Sequence, residues 1–272
     1  MSIEEFLDRL KKGERLYGTA ILSPSPLWPM AVKGTGLDFV FIDTEHIPLD
    51  RTTLAQMCVA YKGHGLPPLV RIPSPDPHEA RKVLDGGASG ILAPYIESPE
   101  QVRELVGATK LRPLKGERLT KALHNRDTLE SELKDYLRDW NRKSFLMINI
   151  ESVPAMERLD RILAEPGLDG VIIGPHDLSL SLGLPEQYHH PRFEEAVKHI
   201  ISKVREKGLS VGIHFSGEAE LQIQWAKAGA NIIMHSSDIA LFQQRLREDV
   251  KTIRSVLGDE DNSKGKQKDT IV

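Results

Sequence analysis

The sequence predicts an α/β protein with a single (β/α)8 domain, the TIM-barrel class. Its 272 residues are in the usual size range of one such barrel. Short apolar segments rich in β-branched residues recur eight times, and segments with helical periodicity separate them, as a strand–helix repeat requires. A doubly wound sheet is the alternative architecture, because these patterns do not show whether the sheet closes.

The chain opens with a predicted amphipathic helix at residues 2–12, in which Ser2 and Glu5 fit a capping box. The strands that follow are predicted at residues 17–22, 39–43, 68–72, 90–93, 145–150, 170–173, 210–213 and 231–235. They are apolar throughout rather than alternating, which is typical of parallel strands with covered outer faces. Helices are predicted at residues 76–84, 100–106, 154–164, 192–206, 217–228 and 238–257.

The barrel domain is predicted to occupy residues 1–257, with a long charged insertion at 110–143 between the fourth and fifth strands. An insertion of this length indicates a functional loop, with its own helix expected at residues 130–140. Residues 258–272 contain few apolar side chains, so we expect them to form a disordered tail.

Composition narrows the classes of function. The formal net charge is -3, whereas nucleic-acid binding needs a surface with clustered positive side chains. The amino terminus is acidic, and no apolar segment approaches the length of a membrane span, so we expect a cytoplasmic protein that binds neither nucleic acid nor membrane. Cys58 is the only cysteine, which excludes an internal disulfide.

Candidate functional residues are the polar side chains that end predicted strands, because a barrel of this class has its active site at the carboxyl ends of the strands. They are Asp43, Glu45 and His46 after the second strand, Arg71 after the third, Asn149 and Glu151 after the fifth, and Gly174, Pro175, His176 and Asp177 after the sixth. These residues are therefore expected at one mouth of the barrel. Alone, the Asp-x-Glu-His pattern more often marks a solvated turn or a helix cap.

His46 is a candidate general base, because an adjacent carboxylate can fix the tautomer of an imidazole and raise its basicity. Asp85, at the end of the helix after the third strand, is either a further support for His46 or an ordinary polar residue at a helix end. His214 and His235 lie at the ends of the seventh and eighth predicted strands. They either line the pocket or are polar residues of the barrel whose hydrogen bonds are all made within the protein.

Glu151 and Asp177 end successive strands, so their carboxylates can approach each other and hold a hard divalent cation such as Mg2+ or Mn2+. The alternative is a salt bridge to Arg71. Arg71 is either such a structural partner or the group that stabilises an enolate oxygen. A Schiff-base mechanism needs a lysine on a barrel strand, and no predicted strand contains one. The sequence therefore favours a metal-stabilised enolate.

Five segments together resemble the HpcH/HpaI family of class II, metal-dependent pyruvate aldolases, in register from about residue 17 to about residue 254. The segments are FVFIDTEH at 39–46, Val70-Arg71, VLDGGASGI at 83–91, APYIES at 93–98 and GLDGVIIGPHDLS at 167–179. The resemblance implies a lyase that reversibly cleaves a 4-hydroxy-2-oxo acid to an aldehyde and pyruvate, or a related 2-oxo acid.

The resemblance also implies roles for the strand-end residues. His46 would be the catalytic base, supported by Asp43 and Asp85, and Arg71 would stabilise the enolate. Glu151 and Asp177 would hold a divalent cation, which is Mg2+, Mn2+ or Co2+, and residues 174–177 would hold the substrate carboxylate. The implied assembly is a homohexamer, a trimer of dimers with exchanged terminal helices.

The sequence departs from the family pattern at two positions near the expected substrate. Asn149 stands where glutamine is usual, and His176 stands where a small residue is common. Two other functions stay open, namely a lyase of CoA thioesters such as malyl- or citryl-CoA and a non-catalytic barrel that binds a partner. The fourth strand continues into Ala93-Pro94-Tyr95 rather than the Leu-Pro-Lys typical of those CoA lyases, and a binding module would not need the complete set of acids, base and arginine.

Overall fold

The computed structural model describes residues 1–259, in which eight parallel strands form a closed barrel in sequence order. Each strand pairs with the next, and β1 pairs with β8, so the predicted barrel is confirmed and the doubly wound alternative is wrong. The strands are β1 Leu16–Ile21, β2 Phe39–Asp43, β3 Pro68–Arg71, β4 Gly90–Ala93, β5 Phe145–Ile150, β6 Gly170–Ile173, β7 Ser210–Phe215 and β8 Ile232–Ser237.

Helices lie before, between and after the strands. They are α1 Ile3–Lys12, α2 Trp28–Val32, α3 Arg51–Gly63, α4 Pro77–Asp85, α5 Pro99–Lys110, α6 Gly116–His124, α7 Ser131–Asn141, α8 Val153–Glu157, α9 Leu159–Ile162, α10 Pro175–Ser181, α11 Pro191–Glu206, α12 Ala219–Lys227 and α13 Asp238–Leu257. A 3-10 turn is formed by Arg126–Thr128. Within residues 1–259, no helix is both long enough and apolar enough to span a bilayer.

Helix α1 closes the amino-terminal end of the barrel. The Ser2 hydroxyl accepts a hydrogen bond from the Glu5 amide, as expected of the predicted cap. The buried Phe6 ring packs between Phe39 and Phe145, with centroid distances of 5.8 and 5.2 Å. Because Phe39 and Phe145 begin their strands, this cluster fills the amino end and leaves the carboxyl end for a ligand.

The structure differs from the sequence prediction in the segment 154–164 and in the insertion. The predicted helix at 154–164 is two helices, α8 and α9, separated at Arg158, where φ is -105° and ψ is 9°. The insertion contains α6 and the 3-10 turn as well as the expected helix near 130–140, and these elements share a small apolar core. Helix α13 ends at Leu257 with Gly258 as its cap. Most of the predicted tail, from residue 260 onward, lies outside the described residues.

Candidate active site

The strand-end residues meet at the carboxyl end of the barrel, around a cavity of about 880 Å³. Its lining includes His46, Arg71, Asn149 and residues 174–177. These residues follow β2, β3, β5 and β6, so the structure brings together residues that lie more than a hundred positions apart in the sequence.

Arg71 and Asp43 form a two-point ion pair at the edge of this cavity. Arg71 Nε and Nη2 donate to Asp43 Oδ1 and Oδ2 at 2.8 and 2.6 Å. Burial opposes ionisation of Asp43, but the hydrogen bonds and charge of Arg71 outweigh it, so the pKa of Asp43 is lowered. Asp43 therefore contacts Arg71 directly, and because its charge also interacts with His46, its expected role as a support for His46 stays a prediction.

Glu45 is a candidate residue to which the sequence assigned no role. Its side chain is 8% exposed, and Oε2 lies 3.1 Å from Arg71 Nε and 3.8 Å from His46 Nε2. This oxygen has no hydrogen-bond partner among the described residues. The available signal was its place in the Asp-x-Glu-His segment, but the sequence could not show which way the side chain turns.

Glu151 is a buried carboxylate with an unusual proton affinity. Its Oε1 accepts a hydrogen bond of 2.8 Å from the amide of Tyr95, a residue with a φ of 56° in the left-handed region that is rare outside glycine. Burial, together with repulsion from Asp177 and Glu45, raises the pKa of Glu151 to about 7. A Cβ atom at position 174 would lie 2.5 Å from Glu151 Oε2, so the glycine leaves room for the carboxylate.

The electrostatics around Glu151 and Asp177 fit a bound cation. Within residues 1–259, the ion pairs of Arg71 are with Asp43 and Glu45, so the alternative salt bridge to Glu151 or Asp177 is not formed. The same residues contain no group of three or more metal-binding side chains. Two carboxylates, with water or substrate as the remaining ligands, are a donor set that Mg2+ accepts. A cation there would offset the repulsion that raises the pKa of Glu151.

Asn149 offers a buried acceptor to the cavity. Its Nδ2 donates to the Ile172 carbonyl at 3.2 Å, whereas Oδ1 has no partner among the described residues. A buried amide oxygen without a donor is costly, and a substrate N–H or O–H, or a water molecule, would satisfy it.

Comparison with known proteins agrees with this geometry. The sequence model of the HpcH/HpaI aldolase/citrate lyase family matches residues 22–244. The chain belongs to this family. It is therefore a class II aldolase, a carbon–carbon lyase of a family that uses a divalent metal.

Several relatives are bacterial aldolases. The 5-keto-4-deoxy-D-glucarate aldolase of Escherichia fergusonii is 33% identical over 221 residues, which cover 79% of this chain and 84% of that protein. The 2-keto-3-deoxy-L-rhamnonate aldolase of Escherichia coli is 30% identical over 250 residues, with coverage of 92% and 93%. The crystal structure of an HpcH/HpaI aldolase from Desulfitobacterium hafniense superposes with a TM-score of 0.78, at 30% identity and coverage of 91% and 95%.

Asp85 does not reach His46 within this HpcH/HpaI aldolase chain. It ends α4, the helix that returns from the carboxyl end of β3 to the start of β4, so it lies at the opposite end of the barrel. Its side chain is 69% exposed, and Oδ1 accepts a 2.9 Å hydrogen bond from Arg112 Nη1. Asp85 therefore does not support His46 of the same chain, and its expected role stays a prediction.

The two later histidines have different positions. His214 lines the cavity, with Nε2 3.0 Å from the Ser236 carbonyl oxygen and its ring edge-on to Phe41. Burial lowers the pKa of His214 to about 4. His235 alternates with Met234 and Ser236 on β8 and turns outward, where Nδ1 lies 2.8 Å from Gln222 Oε1. Of these two histidines, His214 is therefore the candidate for substrate contact.

Proposed function

We propose that this aldolase cleaves 2-keto-3-deoxy sugar acids to pyruvate and a hydroxylated aldehyde, and that it also catalyses the reverse addition. The observation that carries the proposal is the placement of Arg71, held by Asp43, at a cavity that Asp177 also lines. The buried Glu151 lies close enough to Asp177 and Arg71 for their charges to act on it. The relatives named above act on 2-oxo acids with a hydroxyl group two carbons from the oxo group, which is the pattern that a retro-aldol reaction requires.

Glu151 and Asp177 would hold the divalent cation, which is Mg2+, Mn2+ or Co2+. When bound, the cation polarises the 2-oxo group and stabilises negative charge on its oxygen. The substrate carboxylate would meet residues 174–177, where the His176 and Asp177 amides belong to the first turn of α10 and have no helical partner. Pro175 has no N–H to donate, and Gly174 has no side chain that would collide with Glu151.

The protein groups would then carry the proton and the charge. His46 accepts the proton of the C4 hydroxyl, and the C3–C4 bond breaks as the C4 oxygen becomes the aldehyde. The electron pair of the broken bond passes into the enolate of pyruvate, whose oxygen Arg71 stabilises with its remaining N–H groups. Return of this proton from the His46 imidazolium to C3, directly or through water, completes pyruvate and regenerates the base. Asn149 Oδ1 is available to accept a substrate hydrogen bond.

The cavity lining includes polar side chains that suit a hydroxylated aldehyde. Tyr188 and Ser216 line one side, and Gln243, Gln244 and Arg247 of α13 line another. With about 880 Å³ available, the cavity exceeds what pyruvate alone would need. This polarity supports a sugar-acid substrate.

A homohexamer, a trimer of dimers with exchanged terminal helices, is part of the proposal. In support, Asp238 is the buried residue of α13, whereas Phe242, Leu246 and Ile253 are 59%, 51% and 57% exposed. An apolar helix face of this kind fits a subunit interface. Light scattering of the full chain tests the assembly, and cell fractionation tests the proposed cytoplasmic location.

A pyruvate-release screen tests the proposed function. The purified chain is assayed with 5-keto-4-deoxy-D-glucarate, 2-keto-3-deoxy-L-rhamnonate and shorter 4-hydroxy-2-oxo acids, with and without each divalent cation. We expect cation-dependent pyruvate release from the sugar acids, and a loss of about a hundred- to ten-thousandfold in His46→Ala. The absence of pyruvate release from all of these acids in the wild-type chain would contradict the proposal.

A further inference from the structure

We infer that Tyr95 is a positioning residue for the metal-binding carboxylate of Glu151, which it holds through its own backbone amide. The inference rests on the proposed function, in which Glu151 holds the divalent cation. It gives a role to a residue that follows β4, a strand end for which the sequence predicted no functional residue.

The amide of Tyr95 occupies one oxygen of Glu151 and leaves the other available. Its N–H donates to Glu151 Oε1 at 2.8 Å. Oε2 faces Gly174, where a Cβ atom would lie 2.5 Å away, and Gly174 directly precedes the helix that carries Asp177. Because hydrogen bonds to a metal-binding carboxylate orient it, the amide turns Oε2 toward the side on which Asp177 lies.

This hydrogen bond depends on an unusual backbone conformation. The φ angle of Tyr95 is 56°, in the left-handed region that disfavours residues with a Cβ atom and accepts glycine readily. A residue stays in such a conformation only where the surrounding contacts hold it there. Tyr95 therefore needs contacts beyond its own amide to keep the N–H directed at Glu151.

Two further contacts hold Tyr95 in this conformation. Its carbonyl oxygen accepts a 3.2 Å hydrogen bond from Gln101 Nε2, and Gln101 is also part of the capping box of α5. Its phenol hydroxyl donates a hydrogen bond to the carboxylate of Glu45. Tyr95 is thus bound through its amide, its carbonyl and its side chain, and the hydroxyl ties the segment after β4 to the segment after β2.

The position of the ring argues against direct substrate recognition. The Tyr95 side chain is 52% exposed, so it is not part of the apolar core. It is also not among the described residues that line the cavity. We therefore expect its removal to weaken binding of the cation rather than recognition of the aldehyde.

Calorimetric titration of the metal-free, full-length chain with Mn2+ tests the inference through three substitutions. Tyr95→Ala keeps a Cβ atom but loses the phenol that holds the left-handed conformation, so the Kd for Mn2+ should rise about tenfold. Tyr95→Phe loses only the hydroxyl, and its Kd should rise about threefold. Tyr95→Gly loses the whole side chain but adopts the left-handed conformation readily, so its Kd should stay within about twofold of wild type.

Recovery in Tyr95→Gly separates control of the backbone from packing, because a packing role predicts that the smallest residue binds Mn2+ worst. In pyruvate-release assays, Tyr95→Ala should need more Mn2+ for half-maximal rate, with kcat at saturating Mn2+ nearly unchanged. Tyr136→Ala is the matched control. It removes a tyrosine that is 48% exposed and packs against Trp140 on α7, and its Kd for Mn2+ should equal that of wild type.

Equal Kd values for Tyr95→Ala and Tyr95→Gly would overturn the inference, and so would a wild-type Kd in Tyr95→Ala. If circular dichroism shows that Tyr95→Ala does not fold, Tyr95→Leu takes its place, because leucine also has a Cβ atom and no hydroxyl. Failure of the proposed metal site gives a different result. In that case the wild-type chain binds no divalent cation, or Glu151→Gln binds Mn2+ with wild-type affinity.

Discussion

Asp43 and Arg71 are cross-strand neighbours as well as hydrogen-bond partners. They are paired positions in the β2–β3 register, and the guanidinium meets both carboxylate oxygens at 2.8 and 2.6 Å. The exposed fraction of the Arg71 side chain is 12%, and that of Asp43 is 2%. The barrel therefore holds the guanidinium plane in one orientation before substrate binds.

This pairing makes Arg71→Lys a test of geometry rather than of charge. Lysine keeps the positive charge but cannot bind Asp43 at two points, so we expect turnover to fall by about a hundredfold or more, as for other oxyanion donors. Asp43→Asn keeps the shape of the partner and should show a smaller fall in kcat. Near-normal steady-state kinetics of Arg71→Lys would return Arg71 to a purely structural role.

Glu151→Gln should remove the divalent cation from the site. The amide is close in size to the carboxylate but lacks the charge that a hard cation needs, so turnover should fall to the level of chelated wild-type enzyme. Calorimetric titration with Mn2+ measures the loss of binding directly.

Glu165→Gln is the matched control, because it removes another partly buried carboxylate, paired with Arg103, at the amino end of the barrel. Wild-type Mn2+ affinity in Glu151→Gln would refute the metal assignment.

Arg247 should favour substrates that end in a second carboxylate. It lines the cavity, and a charge-assisted hydrogen bond contributes about 1.5 to 3 kcal/mol. Arg247→Gln should therefore raise the KM for 5-keto-4-deoxy-D-glucarate by about tenfold or more, and leave that for the methyl-ended 2-keto-3-deoxy-L-rhamnonate nearly unchanged. Arg245→Gln is the control on the same helix, since Arg245 pairs with Asp249 and does not line the cavity. Equal changes for both substrates would contradict this role.

His214 should make the folded chain less stable in mild acid. Its folded-state pKa is about 4, against an ordinary value of 6.5, so between these values the unfolded chain binds a proton that the folded chain does not. Stability present above pH 6.5 is therefore lost as the pH falls toward 4. His214→Asn should reduce this loss, and the difference in Tm between pH 7 and pH 4.5 should shrink by about 2 to 4 °C. An unchanged difference would show that His214 is protonated in the folded state.

The sequence by itself determined the barrel and the mouth at which the chemistry lies. Parallel strands with covered outer faces must be apolar on both faces, so each strand is visible as a short apolar segment. All strands of such a barrel end at the same side, so the residues that follow them, such as His46, Arg71 and Glu151, could be placed together without coordinates. The family resemblance then suggested the metal and the reaction.

Only the tertiary structure decided which side chain meets which. Asp43 meets Arg71 because the β2–β3 register pairs them, and Asp85 is remote from His46 because α4 runs back to the amino end of the barrel. His235 turns outward while His214 turns inward, although both lie near the ends of their strands. Sequence periodicity reports which faces are buried, whereas partner choice depends on strand register, helix direction and local bends. These are properties of the packed barrel, and no single segment of the chain specifies them.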